Sequence, residues 1–164
     1  TMGPLIDGAA VDRYLNAGKT ARRLGYQSLR EGASLPLSRR GHYVSPSVRV
    51  WEGIPRFRKA DYWDEELFAP DVAVYILKDE DEMAALHNAS RFGLAASVFT
   101  ADRLRYAALR ERLEAGVIHW NRSTAMTPGR LPFGGVKASG NHRPAGLHAV
   151  LSCISPVGSV EASG

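Results

Sequence analysis

Between Pro70 and Lys78 the sequence runs Asp71-Val72-Ala73-Val74-Tyr75-Ile76-Leu77, with no polar residue from Val72 to Leu77. A strand with one wet face alternates apolar and polar side chains, whereas an unbroken apolar run reads as a strand covered on both faces, as in a parallel sheet flanked by helices. The neighbouring sequence supplies such helices. Asp79 to Glu82 puts four carboxylates at a helix start, where the helix dipole favours them, and Met83, Leu86 and His87 carry the apolar stripe toward Asn88. After Gly93, Ala95 to Thr100 reads as a short strand. Asp102 caps a helix bearing Leu104, Ala107, Ala108, Leu109 and Leu113, Gly116 closes it, and Val117 to Asn121 reads as another strand. Strand, helix, strand, helix, strand is the α/β pattern, and right-handed crossovers make the expected sheet mostly parallel with flanking helices and a ligand edge at the carboxyl ends of its strands.

The flanks are less regular. Residues 7 to 24 read as a helix capped by Asp7 and stopped by Gly25, with Val11, Tyr14, Leu15, Gly18, Ala21 and Arg22 at helical spacing. Glu31 to Gly41 is a loop rich in Gly, Ser and Pro, and Tyr43 to Glu52 alternates like strand, interrupted by Pro46. Arg122 to His142 carries Pro128, Gly129, Pro132, Gly134, Gly135 and Gly140, and its composition favours a fixed loop. Ala149 to Val160 has β character, confined to an edge by Pro156 and Gly158, and such an edge invites pairing with another chain.

Composition excludes several classes. With 164 residues and 45% hydrophobic content the chain fits one domain with a sizeable core. It has no apolar run of membrane-spanning length and no signal-peptide succession at its start, so the expectation is a cytoplasmic protein with no membrane partner. The net charge of +4 is spread over Arg22-Arg23, Arg39-Arg40, Arg56 to Lys59 and Arg103 to Arg112 without interleaved aromatics; solvated helix faces are expected rather than nucleic-acid binding. His42, His87, His119 and His148 have no ligand spacing, and no metal site is expected. The single cysteine, Cys153, reads as a small buried or half-buried apolar residue.

Two segments invite a functional reading. Glu65-Glu66-Leu67-Phe68-Ala69-Pro70 precedes the apolar strand, though paired carboxylates beside an aromatic also suit a solvated turn. Pro132-Phe133-Gly134-Gly135, followed by Ser139-Gly140, lets backbone approach a neighbour beside an aromatic wall, though a tight structural turn satisfies the same residues.

In order along the chain, Gly3-Pro4-Leu5-Ile6, Glu65 to Pro70, Asn88 with Phe92 to Ala96, Val98-Phe99-Thr100, Ala115-Gly116-Val117, Asn121 and Pro132 to Gly135 resemble the aldehyde dehydrogenase superfamily. Trp120-Asn121 and Gly134 to Pro144 are similar to its succinylglutamate-semialdehyde branch. The resemblance implies the C-terminal part of a catalytic domain: residues 1–148 would be the partial domain and 149–164 an oligomerisation strand. It implies NAD or NADP as cofactor of the parent enzyme, a small aldehyde substrate, and as partner either further copies or the missing N-terminal part. Glu66 would accept hydrogen bonds from the nicotinamide-ribose hydroxyls, and Phe68 would pack near the nicotinamide. Ala69 stands where the family usually has glycine, which matters if that backbone needs positive φ. Phe133 would line the aldehyde tunnel. Arg122, Ser123 and Arg130, with Thr124, His142 and Arg143, are candidates for an anionic substrate, because guanidinium grips carboxylate with two prongs; each is otherwise an ordinary loop side chain. The family's nucleophilic cysteine, general-base glutamate and pyrophosphate turn match nothing here, so no catalytic residue is expected. Covalent aldehyde oxidation needs a thiolate, a hydride acceptor and a base. The rival expectation is a stand-alone binding or assembly module that kept the fold and lost the chemistry.

Overall fold

In the computed structural model, which describes residues 2–55, 62–125, 127–141 and 145–162, the apolar run becomes β3 (Asp71–Ile76). Before it come α1 (Gly8–Leu24), β1 (Gln27–Arg30) and β2 (Ser47–Glu52). After it come α2 (Glu80–Ala89), β4 (Phe92–Gly93), β5 (Ala95–Val98), α3 (Arg103–Arg110), β6 (Val117–Trp120) and β7 (Val136–Lys137). The chain divides into two compact units, 1–83 and 84–164. The α/β class holds, and the pairs β2–β3 and β5–β6 are parallel, but the described strands form three separate sheets, ordered β1-β2-β3, β4-β7 and β5-β6.

The first unit is built on α1. The Asp7 carboxylate accepts from Ala10 N at 2.7 Å, a cap worth about 1 kcal/mol, and left-handed Gly25 returns its N–H to the last turn. The apolar side of the helix, with Ala17 and Ala21, packs on Tyr26, Tyr62 and Leu67, while Ala10 and Tyr14 cluster with Leu5. Strand β1 was not expected, because Gln-Ser-Leu-Arg has no alternation; it exists by antiparallel pairing with β2.

Buried under α1 is a polar network that the sequence reading did not anticipate. Along β2, Ser47 and Arg49 face inward, and they are 0% and 3% exposed. The guanidinium of Arg49 pairs with the Asp71 carboxylate at the start of β3 and donates to the Ser47 hydroxyl. The Tyr62 hydroxyl and Ser47 hydroxyl donate to Asp71, and the Tyr14 hydroxyl donates to the Ser45 carbonyl at 2.7 Å. Parallel register sets this up: Ser47 lies opposite Asp71 and Arg49 opposite Ala73, whose small side chain leaves room for Arg49 to reach diagonally. Gly18 on α1 has no Cβ for the same reason, since one would come within 2.6 Å of Arg49 Nη2.

Two expectations are corrected. Among the described residues strand β3 is covered on one face: Ala73 and Tyr75 pack on the core with Ala17, Ala21, Tyr62 and Leu67, whereas Val72, Val74 and Ile76 are 54%, 40% and 56% exposed. In the second unit the terminal segment is no strand within this chain. Gly146–Ser152 winds into 3-10 turns, and residues 153–162 are exposed without regular structure, since β-prone sequence without a neighbouring edge has nothing to bond to. Cys153, at the end of those turns, is exposed rather than buried. No helix among the described residues is long and apolar enough to cross a membrane.

Removing one partner of a buried ion pair strands the other charge, so Arg49→Ala or Asp71→Ala should each cost about 3–5 kcal/mol in urea unfolding, whereas the apolar pair Arg49→Met with Asp71→Leu should cost much less. Equal losses for the single and paired variants would refute this account. The phenols of Tyr14, Tyr62 and Tyr75 are all pushed above their ordinary value, chiefly by burial. The folded chain therefore keeps protons that the unfolded chain releases near pH 10, so this stability is intact below about pH 10 and is lost as pH rises further. Absorbance at 295 nm should show these three of the six tyrosines ionising only together with loss of helical circular dichroism; six titrating alike in folded protein would contradict it.

Candidate functional site

In the first unit, a loop presents Glu66 and Phe68. It leaves the 3-10 turn Tyr62–Asp64, inserts Leu67 into the core, and is fixed at its far end where Ser47 N donates to the Pro70 carbonyl at 3.0 Å. With Leu67 pointing inward, the residues on either side point outward; Glu66 is exposed and Phe68 is 77% exposed. The left-handed residue here is Phe68, with φ of 50°, and not Ala69. Alanine in place of the family's glycine therefore imposes no backbone penalty, and Ala69 packs against both clusters of the unit's core. A bulky residue in the left-handed region costs on the order of 1–3 kcal/mol and persists where its surroundings over-determine it, a condition concentrated at ligand sites. The outcome is an aromatic ring and a carboxylate held out from a rigid base, chemically suited to a ribose diol and a flat heterocycle.

In the second unit, the parallel strands β5 and β6 both end at the start of the irregular loop. Asn121, also left-handed with φ of 49°, clamps the β5 exit: its Oδ1 accepts from Thr100 N at 2.9 Å and its Nδ2 donates to Thr100 O at 2.8 Å. Trp120 Nε1 donates to the same carbonyl at 2.9 Å, and its ring stacks on Tyr106 at 5.3 Å. Arg122, Ser123 and Thr124 follow at once, all exposed, with the Arg122 carbonyl accepting from Ser97 Oγ and Ser123 Oγ accepting from Ala125 N. Arg130 is exposed in the turn closed by Leu131 N donating to Pro128 O. Phe133 is 39% exposed, and its carbonyl accepts from Ala145 N at 2.7 Å. Arg122, Ser123 and Thr124 thus follow the carboxyl end of β6, whereas Phe133 precedes Gly134, which packs against Gly116 at the amino end of that strand, so the loop runs from one end of the β5–β6 pair to the other and does not gather these residues at one end. His142 and Arg143 lie outside the described residues.

The Phe133-Gly134-Gly135 turn is anchored by residues to which the sequence reading gave no such role. The Gly134 carbonyl sits where any side chain on Gly116 would be, which explains the close-packed glycines. Ser139 Oγ accepts from Gly93 N at 3.0 Å. Lys137, left-handed with φ of 55°, extends its ammonium to the carbonyls of Asn88 and Ser90 at 2.7 and 3.1 Å, closing the end of α2, and to the Glu114 carboxylate at 2.7 Å. A lysine at a helix C-terminus meets both the free carbonyls and the negative end of the dipole. Its only trace in the sequence is one charge inside a glycine-rich motif. On α2 the buried Nε2 of His87 has no hydrogen-bond partner among the described residues, and burial lowers the pKa of the ring. Among the described residues no group of three or more His, Cys, Asp or Glu side chains could hold a metal ion.

Comparison with known proteins accords with these motifs. The model described as the aldehyde dehydrogenase family matches residues 1–157. The chain is 34% identical over 163 residues to the N-succinylglutamate 5-semialdehyde dehydrogenase of Legionella pneumophila strain Paris, covering 98% of this chain and 31% of that enzyme. It is 39% identical over 164 residues to the enzyme of that name in Caulobacter sp. strain K31, with the same coverage. Among solved structures, the NAD+ complex of aldehyde dehydrogenase from Bacillus cereus is similar with a TM-score of 0.76 and 29% identity, over 91% of this chain and 29% of that one. The chain therefore spans about a third of the length of the relatives it matches.

If Phe68 is held left-handed at a cost, Phe68→Asn should relieve it, since asparagine tolerates that region. With little ring burial to lose, the expected gain is about 0.5–1 kcal/mol in urea unfolding. A loss of stability would mean that the ring contributes more than its backbone costs.

Proposed function

The chain belongs to the aldehyde dehydrogenase family, and from that premise we propose that it is the C-terminal part of an NAD(P)-dependent enzyme oxidising an aldehyde to a carboxylate. N-succinylglutamate semialdehyde is the proposed substrate. The observation that carries this reading is the match over residues 1–157, supported by relatives of that printed name at 34% and 39% identity. In this reading residues 1–148 are part of a catalytic domain, and residues 149–164 become an oligomerising strand only on pairing with another chain. The proposed setting is cytoplasmic.

The exposed Glu66 and Phe68 fit the nicotinamide ribose and ring, and a solved relative carries NAD+. Bound NAD or NADP would supply the hydride acceptor. Glu66 would hold the ribose hydroxyls and Phe68 would exclude water from one side of the ring. Phe133 would line the aldehyde path, with Arg122, Ser123 and Arg130 gripping the substrate's carboxylates in charge-assisted hydrogen bonds. In this reading none of these groups serves as the nucleophile that attacks the carbonyl or as the base that activates the water releasing the acid. The one thiol, Cys153, is exposed at the end of 3-10 turns, and its hydrogen-bond contact is the Ala149 carbonyl at 3.9 Å. Neither nucleophile nor base is at hand, so this chain is inactive by itself.

The purified chain should give no semialdehyde-dependent increase at 340 nm with NAD or NADP, and calorimetry should find NAD binding weaker than about 100 µM, because Glu66 and Phe68 reach only one end of the dinucleotide. Turnover that survives Cys153→Ser, or low-micromolar binding, would refute the reading.

A further inference from the structure

In the second unit a titratable ring lies beside the lysine that ties down the Phe133 turn. His87 stands in the last turn of α2, one residue before Asn88. Its ring hydrogen-bonds the backbone of Glu114, and because the Glu114 N–H is already given to Asn88 Oδ1 at 2.9 Å, the acceptor is the carbonyl and the ring is the donor. That bond keeps the proton of the neutral imidazole on Nδ1 and leaves Nε2 as a bare acceptor, buried and without a hydrogen-bond partner among the described residues. The atoms of this chain alone bury it, so its environment does not depend on what else covers the unit.

A second proton on this ring has no partner. It would create a charged N–H at Nε2 with no acceptor and no water, and both the desolvation and the missing bond oppose it. Among the described residues two charged groups act on the ring from neighbouring elements: the Lys137 ammonium of β7 repels a positive charge there, and the Glu114 carboxylate, between α3 and β6, attracts one more weakly. These two are paired with each other at 2.7 Å. On α2 itself the carboxylates of Glu80, Asp81 and Glu82 lie in the first turn, at the other end of the helix. Lys137 is also the tie, since its ammonium closes α2 at the Asn88 and Ser90 carbonyls, and the Asn88 side chain joins that turn to the Arg112 carbonyl at 2.8 Å. A positive charge on His87 therefore acts on every bond that meets at this corner.

We propose that His87 is an acid-operated catch: its protonation opens the end of α2 and frees β7 with the adjoining Phe133–Gly135 turn, while the first unit stays folded. Burial first, and then Lys137, hold the folded ring below the ordinary histidine value. The unfolded ring takes up its proton sooner, so this stability is intact above about pH 6.5 and is lost as the pH falls below it. The catch is a property of the fold, and only its bearing on an aldehyde path lined by Phe133 rests on the proposed function.

Hydrogen exchange of the full chain, read by mass spectrometry and corrected for the intrinsic pH dependence of amide exchange, tests it. From about pH 7.5 to about pH 5.5, one unit below the ordinary histidine value, peptides spanning residues 84–93 and 133–140 should lose protection by about five- to tenfold, and those from β2 and β3 by less than about twofold. His87→Asn, which keeps a donor for the Glu114 carbonyl but takes up no proton, should abolish the loss, as should His87→Leu. Lys137→Met should exchange at neutral pH as the wild-type chain does in acid, with little further change on acidification. A loss that persists in both His87 variants, and so belongs to His119, His142 or His148, overturns the proposal. So does equal protection at both pH values in the wild-type chain, a loss spread evenly over both units, or a full acid response in Lys137→Met.

Discussion

The first unit depends on a charge that had to be buried. Arg49 sits on the inward face of a central strand, where an unpaired guanidinium would be prohibitively costly, and each feature around it reduces that cost. Asp71 neutralises it, Ser47 and Tyr62 complete the shell, Ala73 leaves the diagonal open, and Gly18 lets the helix pass over it. Because Ser47 and Asp71 face each other across β2 and β3, the network also fixes register. A slip of one residue would turn Arg49 toward water and Val48 inward, losing the ion pair and the packing of Trp51 and Tyr75 together. The same register fixes the start of β3, and with it the pinned loop on which Glu66 and Phe68 stand out.

In the second unit constraint comes instead from backbone geometry. Asn121 and Lys137 both hold left-handed conformations that their side chains compensate, the first by a two-point clamp on Thr100 and the second by closing the end of α2. Between them lies the loop bearing Arg122, Ser123, Arg130 and Phe133. Each end of this stretch is tied by a side chain to main chain elsewhere in the unit, Asn121 to Thr100 and Lys137 to Asn88 and Ser90.

Much of this was legible in the sequence wherever local signals agreed. Asp7 and Gly25 bound α1 as their chemistry requires, Asp102 caps α3 through Leu104 N and Arg105 N, and the apolar run is β3. The order of motifs pointed to the family, and Ala69 proved harmless because the left-handed residue is its neighbour. What escaped were features made only by distant partners. Strand β1 has no pattern of its own, and Arg49 inside Ser-Val-Arg-Val-Trp looks like the wet side of an alternating strand until Asp71 is known to lie beside it. The terminal segment has β-prone residues and, within this chain, no edge to join. Both-face cover for β3 failed, because composition states what a strand can tolerate and not what this chain provides.

The exposure of Cys153 has a consequence for redox chemistry. A sole thiol in water cannot close an internal bridge, so its oxidation joins one chain to another, caps the sulfur with a small molecule or carries it up to the sulfenic, sulfinic and sulfonic acids. Such a covalent pair would form whether or not the chains recognise each other. The same accessibility allows one probe to be attached per molecule at a defined place, on a segment whose fold contributes little to either core.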